Sequence, residues 1–171
     1  AEFSDLFLAD AGTVQLGNDQ EVRLIHNADK GVILKHTATA DDKPINLILQ
    51  TGETDMAAND VIGKISWQAP DEGTGTDAIL VAAAIQAVSE GDFAADNNAT
   101  KLEFHTGASE AASSKMSLSS GGNLTVSGNV SVGGDLDVTG SFDMSDANIT
   151  NVGSIALDSI CLLYTSDAAD E

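Results

Sequence analysis

"GNLTVSGNVSVGGDLDVTGSFDMS", Gly122 to Ser145, divides into four sixes: GNLTVS, GNVSVG, GDLDVT and GSFDMS. Even-numbered positions carry Leu, Val, Phe or Met, with Gly122, Gly128, Gly134 and Gly140 at every third one; odd-numbered positions carry only Asn, Thr, Ser, Gly and Asp. A period of two is the pattern of a pleated strand with one apolar and one polar face. Glycine weakens a strand interior, so its return every six residues points to bends, bulges or close backbone approach at fixed intervals. The stretch therefore reads as a repeat, and the pattern fades through Ile149, Val152, Ile155 and Leu157 rather than stopping.

Upstream, the same short-strand style recurs without the sixfold period. "LFLA", "TVQLG", "EVRLIH" and "GVILKH" are apolar clusters between Phe3 and His36, separated by the turn sequences "GNDQ" and "NADKG". "ADDKP", Ala40 to Pro44, marks a boundary. Beyond it, "INLILQ" alternates at Ile45, Leu47 and Leu49, and "VIGKISWQA" at Val61, Gly63, Ile65 and Trp67. "TKLEFHT" follows at Leu102 and Phe104, and "KMSLSS" at Met116 and Leu118. All four are expected strands. "DAILVAAAIQAVSEGD" is ambiguous. Asp77 is a plausible helix cap, Gly91 a stop and Ala the best helix former, yet period two also fits through Ile79, Val81, Ala83, Ile85 and Ala87. The intervening stretches "TGETDMAAND", "PDEGTGTD", "EGDFAADNNA" and "TGASEAASS" are polar, small and glycine-rich, as surface loops are.

The expected organisation is an N-terminal short-strand module over 1–40, a β domain with long polar loops over 41–120, and a hexad-repeat segment over 121–160. The fold class is all-β. A further segment, 161–171, stands apart: "CLLYTSDAADE" holds the chain's only Cys and only Tyr and resembles the translation of an adapter used in preparing sequencing libraries. It is expected to be non-native. The start at Ala1, in mid-pattern and without Met, suggests a fragment of a longer protein.

Composition bounds the function. Aromatic residues make up 4% of 171 residues, and a core of small side chains is thin, so oligomerisation is expected to complete it. Seven basic against 27 acidic residues give a formal charge of −20, and none of the basic ones lies beyond Lys115. That charge argues against nucleic-acid partners, whose phosphates need clustered positive charge, and against anionic lipid surfaces. No run approaches the ~20 apolar residues of a membrane-spanning helix. No membrane insertion is expected.

No chemical constellation emerges either. The glycines at 121, 122, 128, 133 and 134 lack the following helix pattern and Lys-Ser or Lys-Thr pair of a phosphate cradle. His26, His36 and His105 each end a strand-like run; His26 and His36 with a carboxylate would suit a metal, and exposed strand-end histidines explain them more simply. Asp135, Asp137 and Asp143 fall on one outward face, where they would collect calcium or merely keep a sticky repeat solvated. Paired carboxylates of the glycosidase kind are available in number but not in any recognisable arrangement. No "GxSxG" elbow accompanies the serines. The Asn-x-Ser/Thr triplets at Asn98, Asn123, Asn129 and Asn148 are expected by chance in such a chain. No catalytic, cofactor-binding or metal-binding residue is assigned, and no cofactor is expected.

Four segments carry a resemblance: "LGNDQEVRLIHNADKGVIL" (16–34), "DVIGKISWQAPDEGTGTDAILVAAAIQAVSEGDF" (60–93), "ATKLEFHTG" (99–107) and "KMSLSSGGNLTVSG" (115–128). Their order resembles that of tail-fibre and appendage proteins of tailed bacteriophages, especially marine ones. There it reads as a Gly-containing strand, a small-residue strand, an "LxFxT" strand and an "xMxLxSxGNLxV" strand. The resemblance covers nearly all of Leu16 to Val138 and is structural rather than catalytic. It implies a strand over Ala78–Val88. It also implies an elongated homotrimer of parallel, in-register chains, attachment of the virion to a host-surface receptor of unknown identity, and contacts with other tail proteins. The implied location is the exposed tail appendage of the virion. Such fibres often end in a self-cleaving intramolecular chaperone, which would lie downstream of Ile160. If three chains wind about one axis, an inward position every six residues comes too close to its symmetry mates for a side chain, and Gly fits where Val would clash.

Three other readings compete with an adhesive fibre segment. A passive shaft or spacer would show the same repeat without selective loops, and a trimeric surface adhesin of a bacterium would look alike. Left-handed β-helix acyltransferases also count in sixes, but four hexads are few, each carries two apolar residues rather than one, and no histidine lies within or beside them.

Overall fold

Alternation of apolar and polar residues becomes eight strands and no helix in a computed structural model, which describes residues 5–70, 75–145, 150 and 152–154. The chain divides into two compact units, Ala1–Asn129 and Val130–Glu171, and both sheets belong to the first. The expected strand-like positions Ile149, Ile155 and Leu157, and the tail 161–171, lie outside the described residues.

The first sheet is a meander of β1 (Thr13–Leu16), β2 (Val22–Asn27) and β3 (Gly31–His36), antiparallel throughout. Both expected turns form. Gln20 N donates to Gly17 O at 3.2 Å and Lys30 N to Asn27 O at 3.0 Å. Gly17, Gln20, Asp29 and Gly31 take positive φ there, as tight hairpins require. "LFLA" joins no ladder.

The second sheet is a five-stranded antiparallel meander in the order β4 (Val61–Gln68), β5 (Val81–Ser89), β6 (Thr100–Thr106), β7 (Ser113–Leu118) and β8 (Leu124–Val126). The ambiguous alanine-rich segment is thus a strand, and it is the second strand of five. Its alanines have high helix propensity, but two flanking strands offer every backbone group of β5 a partner, and pairing overrides propensity.

Two expectations need correction. "INLILQ" forms no strand: residues 45–50 are extended but unpaired. Leu49 instead lies over β4, where a Cβ on Gly63 would stand 2.9 Å from the Leu49 Cβ. The hexad stretch likewise forms a ladder only at Leu124–Val126; Ser127 adds one hydrogen bond to Lys115 O at 2.9 Å, and 128–145 pair with nothing among the described residues. The physical reason is that β8 is the last strand of its sheet.

Candidate functional site

Directly opposed residues in an antiparallel ladder point to the same face, so the register defines rows across the five-stranded sheet. One row is Gly63, Ala87, Leu102, Leu118 and Leu124; the next is Ile65, Ile85, Phe104, Met116 and Val126. Trp67 and Ala83 extend the same face beyond them. Two successive rows therefore cross all five strands with no polar side chain. In most soluble sheets such a face lies against a second layer. Here Ile65 is 45% exposed, Trp67 51% and Leu124 63%. Leu49 approaches it, leaving a hollow of about 170 Å³ among Leu49, Gly63, Ile65, Ile85, Ala87 and Leu102. In the three-stranded sheet one row is apolar, Val14, Leu24 and Leu34, and the next runs Leu16, Val22 and His36.

The opposite face of the large sheet is polar. Its central row is Lys64, Gln86, Glu103, Ser117 and Thr125. Glu103 accepts from Gln86 Nε2 at 2.9 Å and lies 3.0 Å from Lys101 Nζ and 3.1 Å from His105 Nε2. Burial pushes the Glu103 carboxyl up, but hydrogen bonds from Lys101, Gln86 and His105 together outweigh it and hold the group below the usual range. The spacing i, i+2, i+4 in "KLEFH" was the sequence signal for this row, and it passes unremarked when the strand is read only for its apolar positions.

At one end of this sheet three loops are tied together, and Ser89 is the knot. Its side chain is fully buried, and its Oγ donates to Ala57 O and accepts from Asp60 N at 3.0 Å. Asn59 N donates to Ser89 O and Ser89 N to Asp60 O, both at 2.9 Å. Loss of this hydroxyl would strand a buried donor and acceptor, a cost of about 1–3 kcal/mol each. The β5–β6 loop is braced in turn by an Ala94–Asn97 bridge, by Asn97 Nδ2 on Asp92 O at 2.6 Å and by Phe93 N on Met56 O at 3.2 Å. The β7–β8 turn joins through Ser120, whose N donates to Glu90 Oε2 at 3.0 Å; the Ser120 side chain and then its backbone N–H lower the Glu90 carboxyl's pKa. Beside these loops a second hollow, about 300 Å³, is lined by Ile48, Leu49, Met56, Ile62 and Phe93 with Glu53 near its edge.

The histidines do not converge. His26 pairs with Val32 and His36 with Val22, at opposite ends of the β2–β3 ladder. His26 Nδ1 stands 3.5 Å from Asp10 Oδ1, His36 Nδ1 accepts from Ala38 N, and His105 lies in the other sheet. Asp135, Asp137 and Asp143 are exposed on unpaired chain. Among the described residues no three His, Cys, Asp or Glu side chains gather as metal ligands, and no helix is long and apolar enough to cross a membrane. In comparisons with known proteins, no family model matches the chain and no curated protein proves similar to it.

Proposed function

We propose that this chain is a structural and adhesive segment of a bacteriophage tail fibre, in which three parallel copies assemble and help attach the virion to a host-surface receptor, without catalysis. The observation that carries it is the mismatch between a well-paired sheet and a missing core. Among the described residues only Ala84 and Val88 are buried apolar side chains, while the apolar rows are exposed or only partly covered. Neighbouring copies of a fibre protomer would complete such a core. The knotted loops at the Ser89 end supply the adhesive part, since recognition loops work best when ordered before binding. The acidic surface keeps nucleic acid from being a partner.

Flow cytometry of the fluorescently labelled full chain on a panel of marine bacterial isolates tests the reading. Saturable binding to some strains and none to others is expected, with periodate or protease treatment of the cells separating a glycan receptor from a protein one. Assembled chain that binds no strain would reduce the segment to a passive shaft, and depolymerisation of host polysaccharide would make it an enzyme.

A further inference from the structure

We propose that the apolar face of the five-stranded sheet, centred on Ile65, Phe104 and Leu118, is covered by a neighbouring copy of this chain, with Trp67 buried in the contact. This deepens the fibre reading and rests on it. It moves the principal contact between copies from the hexads to the sheet.

The occupant follows from three properties of the face. First, the apolar rows are exposed or only partly covered among the described residues, so covering them stabilises every molecule. A partner needed by every molecule must be present wherever the chain is made, and another copy always is. Second, the face carries no charge. The ladder places Lys64, Lys101 and Glu103 on the opposite side, so two chains of −20 each can meet here without opposing carboxylates. Third, the area is right. Ile65, Trp67, Leu102, Leu118 and Leu124, all 40% exposed or more, together show on the order of 500 Å² of apolar surface. With the partly covered Ile85, Phe104, Met116 and Val126 beside them, this approaches the ~800 Å² that each partner gives a standard interface. The hollow beside Gly63 and Ala87 is a dip in the face, and it admits an aliphatic side chain of the neighbour as an anchor.

Trp67 is the chain's only tryptophan, so its fluorescence reads this face alone. For the full chain at micromolar concentration, emission is expected to be blue-shifted and shielded from acrylamide, and to turn red and quenchable on dilution, in step with loss of mass by light scattering. Leu118→Asp on the apolar face should raise the dissociation midpoint at least tenfold, and Ser117→Asp on the polar face should leave it within twofold. Should Leu118→Asp fail to fold, the quenching of the unmodified chain still decides. Trp67 shielded at every dilution would mean that the chain's own residues cover the face, and the proposal fails. Trp67 open to acrylamide in an assembled chain would put the contact elsewhere and leave the fibre reading standing. A folded monomer with Trp67 open would overturn both.

Discussion

Gly63 and Gly128 both interrupt apolar alternation, and the fold treats them differently. At Gly63 a side chain would collide with Leu49 of the same chain, so the glycine is explained within one protomer. Gly122 is explained equally locally. Its φ of +79° and the Gly122 N to Ser119 O bond at 3.0 Å mark it as a turn residue. Around Gly128, Gly134 and Gly140 nothing among the described residues lies within 4 Å of an added Cβ. On the proposed trimer, the constraint on them comes from another copy. Gly128→Val is therefore expected to leave the local fold of a dissociated chain unchanged, or slightly firmer through strand propensity. In the assembly it should cost about 1–3 kcal/mol by overpacking. Thermal melts above and below the dissociation concentration check this. Equal stability of variant and parent in the assembly would leave the sixfold spacing without an axial role.

At the scale of elements, the strands legible in the sequence were those with a neighbour to pair with. "VIGKISWQA", "TKLEFHT" and "KMSLSS" alternate cleanly and form β4, β6 and β7. "INLILQ" alternates as well, yet stays unpaired, because alternation reports which side of a segment is apolar and not whether a partner strand exists. Register errors have a similar origin. A bulge between Val61 and Gly63 sets Val61 opposite Val88, on the other face from Ile65, although the two-residue count puts them together. The buried end of β5 was illegible for a different reason. Ser89 is fully buried, and its role depends on Ala57 and Asp60, about thirty positions earlier in sequence. The polar row on β6 yields a prediction of its own. Because the Glu103 carboxyl is held low, its contribution to stability is complete above the ordinary carboxylate range and is lost as pH falls through that range to the lowered value. Glu103→Gln should cost about 1–2 kcal/mol at neutral pH, and the two stability curves should converge in acid. Curves that remain parallel would show that Lys101, Gln86 and His105 do not favour the ionised form.

For the whole molecule, charge and apolar surface oppose one another. A formal charge of −20 per chain resists close approach of copies, while the open apolar rows favour it. Added salt screens the first and spares the second, so the assembled mass, expected to be that of three chains, should persist to greater dilution as salt rises. Light scattering across a salt series measures this, and a midpoint indifferent to salt would mean that carboxylates of adjacent copies lie beyond mutual reach. The strand order has a consequence in time. β4 to β8 follow one another in space as in sequence, so each new strand docks on the one just made. Chains with such local contacts fold quickly. On the proposed fibre reading, each protomer then completes its sheet early and encounter between copies is the slow, bimolecular step. During that interval the finished sheet would be at its most vulnerable to aggregation, and the speed of fibre formation would follow how many chains are made close together rather than how fast any one of them folds.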